Sequence, residues 1–269
     1  KQTTVRLSAV RLLPYPEERK TLFRLARLDR SNSVREEATA RLRYPEDRDY
    51  LITIAKKEER WDPVKIAVEK LPYPEERETL IALARDSRRP GYAVMRLDRE
   101  QDLEVLEDLA LHTANADARR EAISMLECPR SRKVLEQIVR SDRSEYDSIE
   151  AVCKLTYPES RETLVWTLLS SAHPGARATA VGKLHWPEEK ELIEAAAHLP
   201  DGIREEYKKN RSVIEAARSV MLDAGICPSC GKKLHSYEDI YYRDNDPVDG
   251  SKKITVRYCA ACGWEEEID

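Results

Sequence analysis

The sequence predicts a mostly α-helical chain, an α-α superhelix of about seven stacked helix pairs followed by a small β module. Three observations predict it. The segment LPYPEERETLIALA at 71–84 returns as LPYPEERKTLFRLA at 13–26, LRYPEDRDYLITIA at 42–55 and LTYPESRETLVWTL at 155–168. Its proline falls at Pro16, Pro45 and Pro74, then at Pro129, Pro158 and Pro187, with a step of 29 residues inside each set. The 55 residues from Pro74 to Pro129 hold a degenerate copy, LDREQDLEVLEDLA at 97–110, so one repeat is three residues short. A chain that is 36% charged and 6% aromatic also suits a thin stack of helices better than a thick core.

Each repeat reads as two helices. The first is expected to open at the proline, which has no amide hydrogen to leave unpaired there. The acids that follow, Glu17, Glu46, Glu75, Glu159 and Glu188, complement the positive end of the helix dipole. Apolar residues then recur at helical spacing, as in Leu22, Leu25 and Ala26. A polar loop leads to the second helix, with a small slot (Ala9, Ala38, Ala67, Ala93, Ala122, Ala151, Ala180) that lets neighbours approach. Four residues on, a leucine slot (Leu13, Leu42, Leu71, Leu97, Leu126, Leu155, Leu184) fills the space between them.

Particular elements follow in order. Val5 to Leu13 matches a second helix with no first helix before it, so an apolar edge is expected there, covered by further repeats or by something else. Asp62-Pro63 reads as a cap and first turn. The deletion falls around Arg88-Arg89-Pro90-Gly91, where a tightened loop is expected. The last repeat helix runs from Pro187 to about Leu199, and Pro200-Asp201-Gly202 breaks it. A helix from Ile203 to about Asp223, with Val213, Ala217, Val220 and Met221 on one face, reads as the C-terminal cap, ended by Ala224-Gly225.

The run Val-Arg-x-x-Ala-x-x-x-Leu, seen at Val34 to Leu42, resembles the HEAT-like repeats called phycobilisome-lyase-type, over about Thr4 to Leu199. The resemblance implies the architecture. It leaves function open, because such repeats serve scaffolds, lyases and some enzymes. HEAT-like hydroxylases carry His-Glu pairs that hold iron, but His112, His173, His185, His198 and His235 here stand singly. HEAT-like glycosylases use a basic face with Trp and Asp, whereas this chain has net charge −4 and its Trp61, Trp166 and Trp186 occupy different repeat positions. An acidic chain also gives no global electrostatic case for nucleic acid or an anionic membrane.

Three columns run along the repeats. One is basic: Arg19, Arg48, Arg77, Arg132, Arg161 and Lys190, with Leu103 the exception. One is aromatic: Tyr15, Tyr44, Tyr73, Tyr157 and Trp186, with Arg99 and Cys128 as replacements. The third, early in the second helix, holds Arg6, Arg35, Lys65, Arg119 and Arg177. Such columns are either ladders between repeats or a stripe facing an acidic peptide or phosphate backbone. Near-identity in every unit favours the ladder. A break in the pattern is the better place for a binding site, so Arg88, Arg89, Tyr92, Arg96 and Arg99 are the candidate partner-binding residues. Isolated Cys128 and Cys153 read as small buried apolar residues.

Cys227-Pro228-Ser229-Cys230-Gly231 and Cys259-Ala260-Ala261-Cys262-Gly263 are the strongest chemical signal. A Cys-x-x-Cys turn points two sulfurs at one ion, and the glycine after it allows the twist that aims amides at sulfur. Four thiolates make a closed tetrahedral site without an open position, so the expected Zn2+ is structural. The turns resemble the knuckles of a zinc ribbon. Two disulfides or an iron centre are the alternatives. Between them, Asp239 to Arg243 and Lys253 to Tyr258 read as strands joined through Asp249-Gly250, and Trp264 to Ile268 as a third. Lys232, Lys233, Arg243, Lys252, Lys253 and Arg257, with Tyr237, Tyr241 and Tyr242, are its candidate exposed contacts, opposed by the acidic tail Glu265-Glu266-Glu267. A module of this size needs its metal to fold.

The expected domains are a helical-repeat unit at 1–224 and a zinc ribbon at 225–269. The expected function is a non-enzymatic, cytoplasmic scaffold that binds a protein partner, without a membrane span or a small-molecule substrate. A nucleic-acid-associated protein using the ribbon and a basic stripe is the second reading. A lyase or glycosylase-like enzyme is the third.

Overall fold

In the computed structural model each repeat proline closes a turn, and its helix starts three residues later. The structure describes residues 2–199, 204–242 and 251–268, with side chains described outside 204–209, 237–254 and 267. Pro200-Asp201-Gly202, Ile203, Arg243 and Asp249-Gly250 therefore lie outside the described residues.

The chain divides into two compact units, Lys1–Ile138 and Val139–Asp269. In the first, α1 (Gln2–Leu12) precedes the pairs α2 (Arg19–Leu28) and α3 (Asn32–Arg41), α4 (Arg48–Lys57) and α5 (Trp61–Glu69), α6 (Arg77–Asp86) and α7 (Gly91–Val94), and α8 (Leu103–His112) and α9 (Ala116–Met125). The unit boundary falls inside α10 (Arg132–Ser141). The second unit continues with α11 (Glu145–Lys154), α12 (Arg161–Ser170), α13 (Pro174–Val181), α14 (Lys190–Ala197) and α15 (Arg204–Asp223). Strands β1 (His235–Tyr242), β2 (Ser251–Tyr258) and β3 (Glu265–Ile268) end it as an antiparallel sheet in the order β1-β2-β3.

Within the first unit the two helices of a repeat pack on each other, as α2 on α3 and α4 on α5. Second helices also pack on one another, α1 on α3, α3 on α5, α5 on α7 and α7 on α9. In the second unit α11 and α12 pack on α13, and both α13 and α14 pack on α15. The small and leucine slots make these contacts dry. Ala38, Ala67, Ala93, Ala122, Ala151 and Ala180 are buried, as are Leu42, Leu71, Leu97, Leu126, Leu155 and Leu184. The first copy differs: Ala9 is exposed and Leu13 half-buried, beside exposed Val5 and Leu12.

Four local expectations are corrected. The repeat prolines do not open helices. Each follows a cis peptide bond, and its carbonyl accepts the turn-closing amide of the third residue on, as Arg19 N to Pro16 O at 3.2 Å. The residue two after each proline becomes the helix N-cap position, and the predicted acids Glu17, Glu46, Glu75, Glu159 and Glu188 are exposed on the turn. Asp62 is not the cap of α5, since Arg60 occupies that place and Asp62 sits in the first turn. The three-residue deletion shortens the second helix itself, leaving α7 one turn long. Cys153 is exposed and Cys128 half-buried, not buried as read, because Cys153 lies two residues past buried Ala151, on the outer side of α11.

The capping helix is present as α15, with Val213, Ala217 and Met221 buried and Ile214 added to them. Gly225, with φ of +71°, turns the chain out of it.

Candidate functional site

The N-cap column explains where the repeated cations and rings go. It reads Glu18, Asp47, Glu76, Asp102, Ser131, Ser160 and Glu189, and all but Glu18 are buried. In the first unit Glu76 Oε2 accepts from Arg48 Nη2 at 2.7 Å, and Glu76 Oε1 accepts from the Tyr44 hydroxyl at 3.2 Å. Asp102 pairs with Arg77 at 2.6 Å, and Asp47 accepts from Tyr15 at 3.0 Å. In the second unit Glu189 holds Arg161 at 3.0 Å and Tyr157 at 3.3 Å. The Arg48 guanidinium holds the Glu76 carboxyl below its ordinary value against the opposing pull of burial. A buried acid is tolerable because a cation and a hydroxyl from the preceding repeat satisfy it.

The basic and aromatic columns are thus ladders at these rungs, not a ligand-facing stripe. The third column is also engaged at several positions. Arg6 pairs with Asp29 at 2.9 Å, Arg35 is buried against the Asp29 carbonyl, and Arg177 donates to Leu168 O at 3.0 Å.

The candidate partner-binding residues separate. Arg88 pairs with Glu59, Arg96 donates to Leu71 O at 3.5 Å, and Arg99 reaches Glu127 at 2.5 Å. Only Arg89 and Tyr92 of the five meet, in a recess of about 70 Å³ that Trp61, Met95, Asp117 and Glu121 also line. Trp61 is 51% exposed and Met95 58%. The Trp61 and Tyr92 rings stand edge to face, 5.9 Å apart and 85° to each other. Arg89 lies over the Trp61 ring at 4.4 Å. The sequence reading missed Trp61 and Met95. Their signal was the adjacent deletion, which leaves a one-turn α7 between α5 and α9.

The four cysteines meet at the other end of the chain. Among the described residues, Cys227, Cys230, Cys259 and Cys262 place all four sulfurs within 4.8 Å of one another. The Cys227–Cys262 distance is 3.6 Å and the Cys230–Cys259 distance 3.5 Å. A tetrahedral ion with metal–sulfur bonds of about 2.3 Å requires sulfur–sulfur edges of about 3.8 Å, so this donor set fits a metal. No disulfide joins Cys227, Cys230, Cys259 or Cys262, which removes the two-disulfide alternative in this structure.

The two knuckles repeat one pattern. Gly231 N donates to Cys227 O and Gly263 N to Cys259 O, each at 2.9 Å. Gly231 and Gly263 have φ of +69° and +74°, the region glycine adopts without a Cβ clash. A Cβ on Gly231 would also meet Glu194 Oε1 of α14 at 2.8 Å. Burial raises the Cys259 thiol, but the amides of Ala261 and Cys262 and the neighbouring thiols outweigh it, bringing it down to about 7. The Trp264 amide lowers the Cys262 thiol, yet burial and the three other sulfurs push it up to about 12. Thiols this close to one another would give up their protons to a bound cation.

The module rests on the helix before it. Buried Cys227, Leu234 and Cys259 share a core with Leu222 of α15 and with Trp264. Arg257 Nη1 donates to Leu222 O at 3.3 Å, which occupies one of the cations read as an exposed contact. Lys232 and Lys233 are exposed.

No protein-family model, curated protein or solved structure matches the chain. No helix among the described residues is long and apolar enough to cross a membrane.

Proposed function

We propose that the protein is a non-enzymatic HEAT-like scaffold for a protein partner, and that its four-cysteine centre holds one structural zinc ion in a reducing compartment. The observation that carries this reading is the exposed Trp61 and Met95 beside Tyr92 at the shortened repeat. Aromatic, methionine and arginine side chains are enriched where proteins anchor partners. Three of the repeated cations that would otherwise suggest a phosphate-facing stripe, Arg48, Arg77 and Arg161, are engaged with Glu76, Asp102 and Glu189. Zinc is supported by the all-sulfur donor set, which leaves no coordination position for a substrate.

In-cell cross-linking in the native host, followed by purification of the intact protein, tests the scaffold. A protein cross-linked at near-stoichiometric level through the first unit supports it. Recovery of nucleic acid alone, with binding that weakens steeply between 50 and 200 mM salt by the order of magnitude expected for phosphate contacts, replaces it with the second reading. Elemental analysis tests the metal, and one zinc per chain is expected.

A further inference from the structure

We infer that the recess between α5, α7 and α9 receives one cationic side chain, lysine or arginine, from a partner polypeptide. This rests on the scaffold reading and says which chemistry the partner offers.

Size comes first. A recess of about 70 Å³ is well under the ~300 Å³ at which small-molecule sites begin, and holds the end of one side chain. Its walls are suited to a cation. Trp61 from the start of α5 and Tyr92 from α7 present rings at right angles, and aromatic faces attract ammonium and guanidinium groups. The chain already shows the preference. Arg89 covers the Trp61 ring while donating to Glu59 O at 2.9 Å and pairing with Asp117 at 3.5 Å.

Arg89 is therefore spent on Trp61 and Asp117, and Glu121 is the remaining acid of the recess. Burial raises the Glu121 carboxyl above its ordinary value, and Asp117 adds to this. Arg120, exposed on the rim, pulls the other way without reversing it. An incoming cation would relieve that cost. An apolar side chain would deepen the burial of the carboxylate, and an anion would set a like charge beside Glu121, where Arg89 is already paired with Asp117 and Arg120 stands on the exposed rim. Gly91 keeps the space open, since a Cβ there would come within 3.2 Å of Glu121 Cγ. Exposed Met95 offers a flexible apolar surface for the aliphatic stem of the incoming residue.

The test uses the full chain and four capped tripeptides, acetyl-Leu-X-Leu-amide with X as arginine, lysine, norleucine or glutamate. Binding is read from the indole N–H resonances of the four tryptophans, with Trp61→Phe assigning one of them. The arginine and lysine probes are expected to shift the Trp61 signal and to bind about tenfold tighter than the other two. Glu121→Gln should weaken the cationic probes about tenfold and leave the melting temperature nearly unchanged. Met95→Ala should weaken both cationic probes without restoring glutamate. Equal binding by norleucine or glutamate, no shift of the Trp61 signal with any probe, or wild-type affinity in Glu121→Gln overturns the inference. A cross-linked host partner retained in full by Glu121→Gln overturns it while leaving the scaffold reading standing. Cationic probes that bind through Glu121 in a protein with no host protein partner support the recess and sink the scaffold.

Discussion

Arg48 and Glu76 form a two-pronged ion pair between neighbouring repeats, with Glu76 4% exposed and Arg48 42%. The pair sets a sign for pH dependence. The folded-state carboxyl of Glu76 is lowered, first by Arg48 and then by the Thr79 and Tyr44 hydroxyls, against burial. Its contribution to stability is present above the unfolded-state value of about 4.3 and is lost as pH falls through the lower folded-state value. Glu76→Gln should therefore destabilise by about 1.5–3 kcal/mol at pH 7, the range for a hydrogen bond to a charged group. The difference from wild type should shrink toward pH 3. Urea melts at several pH values check this, and a constant difference would contradict it.

The ladder also has a rule that can be rebuilt. Tyrosine fills the aromatic slot where the next N-cap is Asp47, Glu76, Asp102 or Glu189, and Arg99 or Cys128 fills it where the next is Ser131 or Ser160. Ser131 is buried with no hydrogen-bond partner for its hydroxyl. Ser131→Glu alone should destabilise, because it buries an acid opposite Leu103 in the basic slot. Adding Leu103→Arg should recover at least 1 kcal/mol, about the coupling expected of groups in contact. A double-mutant cycle by thermal or urea melting reads that coupling, and simple additivity would refute the rule.

With the proposed zinc bound by the four cysteines, its removal should unfold the sheet but not the repeats. The core of the module includes Leu222, so loss should extend into the last turn of α15. Hydrogen exchange after chelation is expected to show lost protection over 226–242 and 251–268 and at the end of α15. The far-ultraviolet helical signal should be largely kept. Collapse of most helicity on chelation would mean the repeats depend on the metal.

Gly263 is a cleaner probe of the knuckle than Gly231. A Cβ on Gly263 meets nothing within 4 Å, whereas one on Gly231 strikes Glu194. Gly263→Ala should thus report the left-handed backbone alone, at about 1–2 kcal/mol, and weaken metal affinity about tenfold. Competition with a chromophoric chelator measures it. Gly231→Ala should cost about as much once the end of the Glu194 side chain moves aside, so its effect mixes backbone strain with that shift.

Much of the fold was legible because it is periodic. The step of 29 residues, the short third repeat, the alanine and leucine slots and the paired Cys-x-x-Cys turns are local patterns that need no knowledge of neighbours. The second and third strands were placed close to their observed spans for the same reason, while the first was begun four residues late, at Asp239 instead of His235. The helix starts were misplaced by three residues because a proline suits both a first helical turn and a tight turn before one.

By itself, then, the sequence determined the order of helices, the slots that pack them and the four sulfurs that meet. Only the tertiary structure decided that the N-cap residue of each turn, acid or serine, is buried in every copy but the first, and which Arg and Tyr reach Glu76 and Glu189. Only the structure divided Arg88, Arg89, Arg96 and Arg99 among different partners and set Trp61 beside Tyr92 and Met95. The physical reason is that periodicity records which face of a helix is apolar. The partner of a charged side chain depends on how far one repeat is turned and shifted against the next, and that offset is set by packing between segments some thirty residues apart.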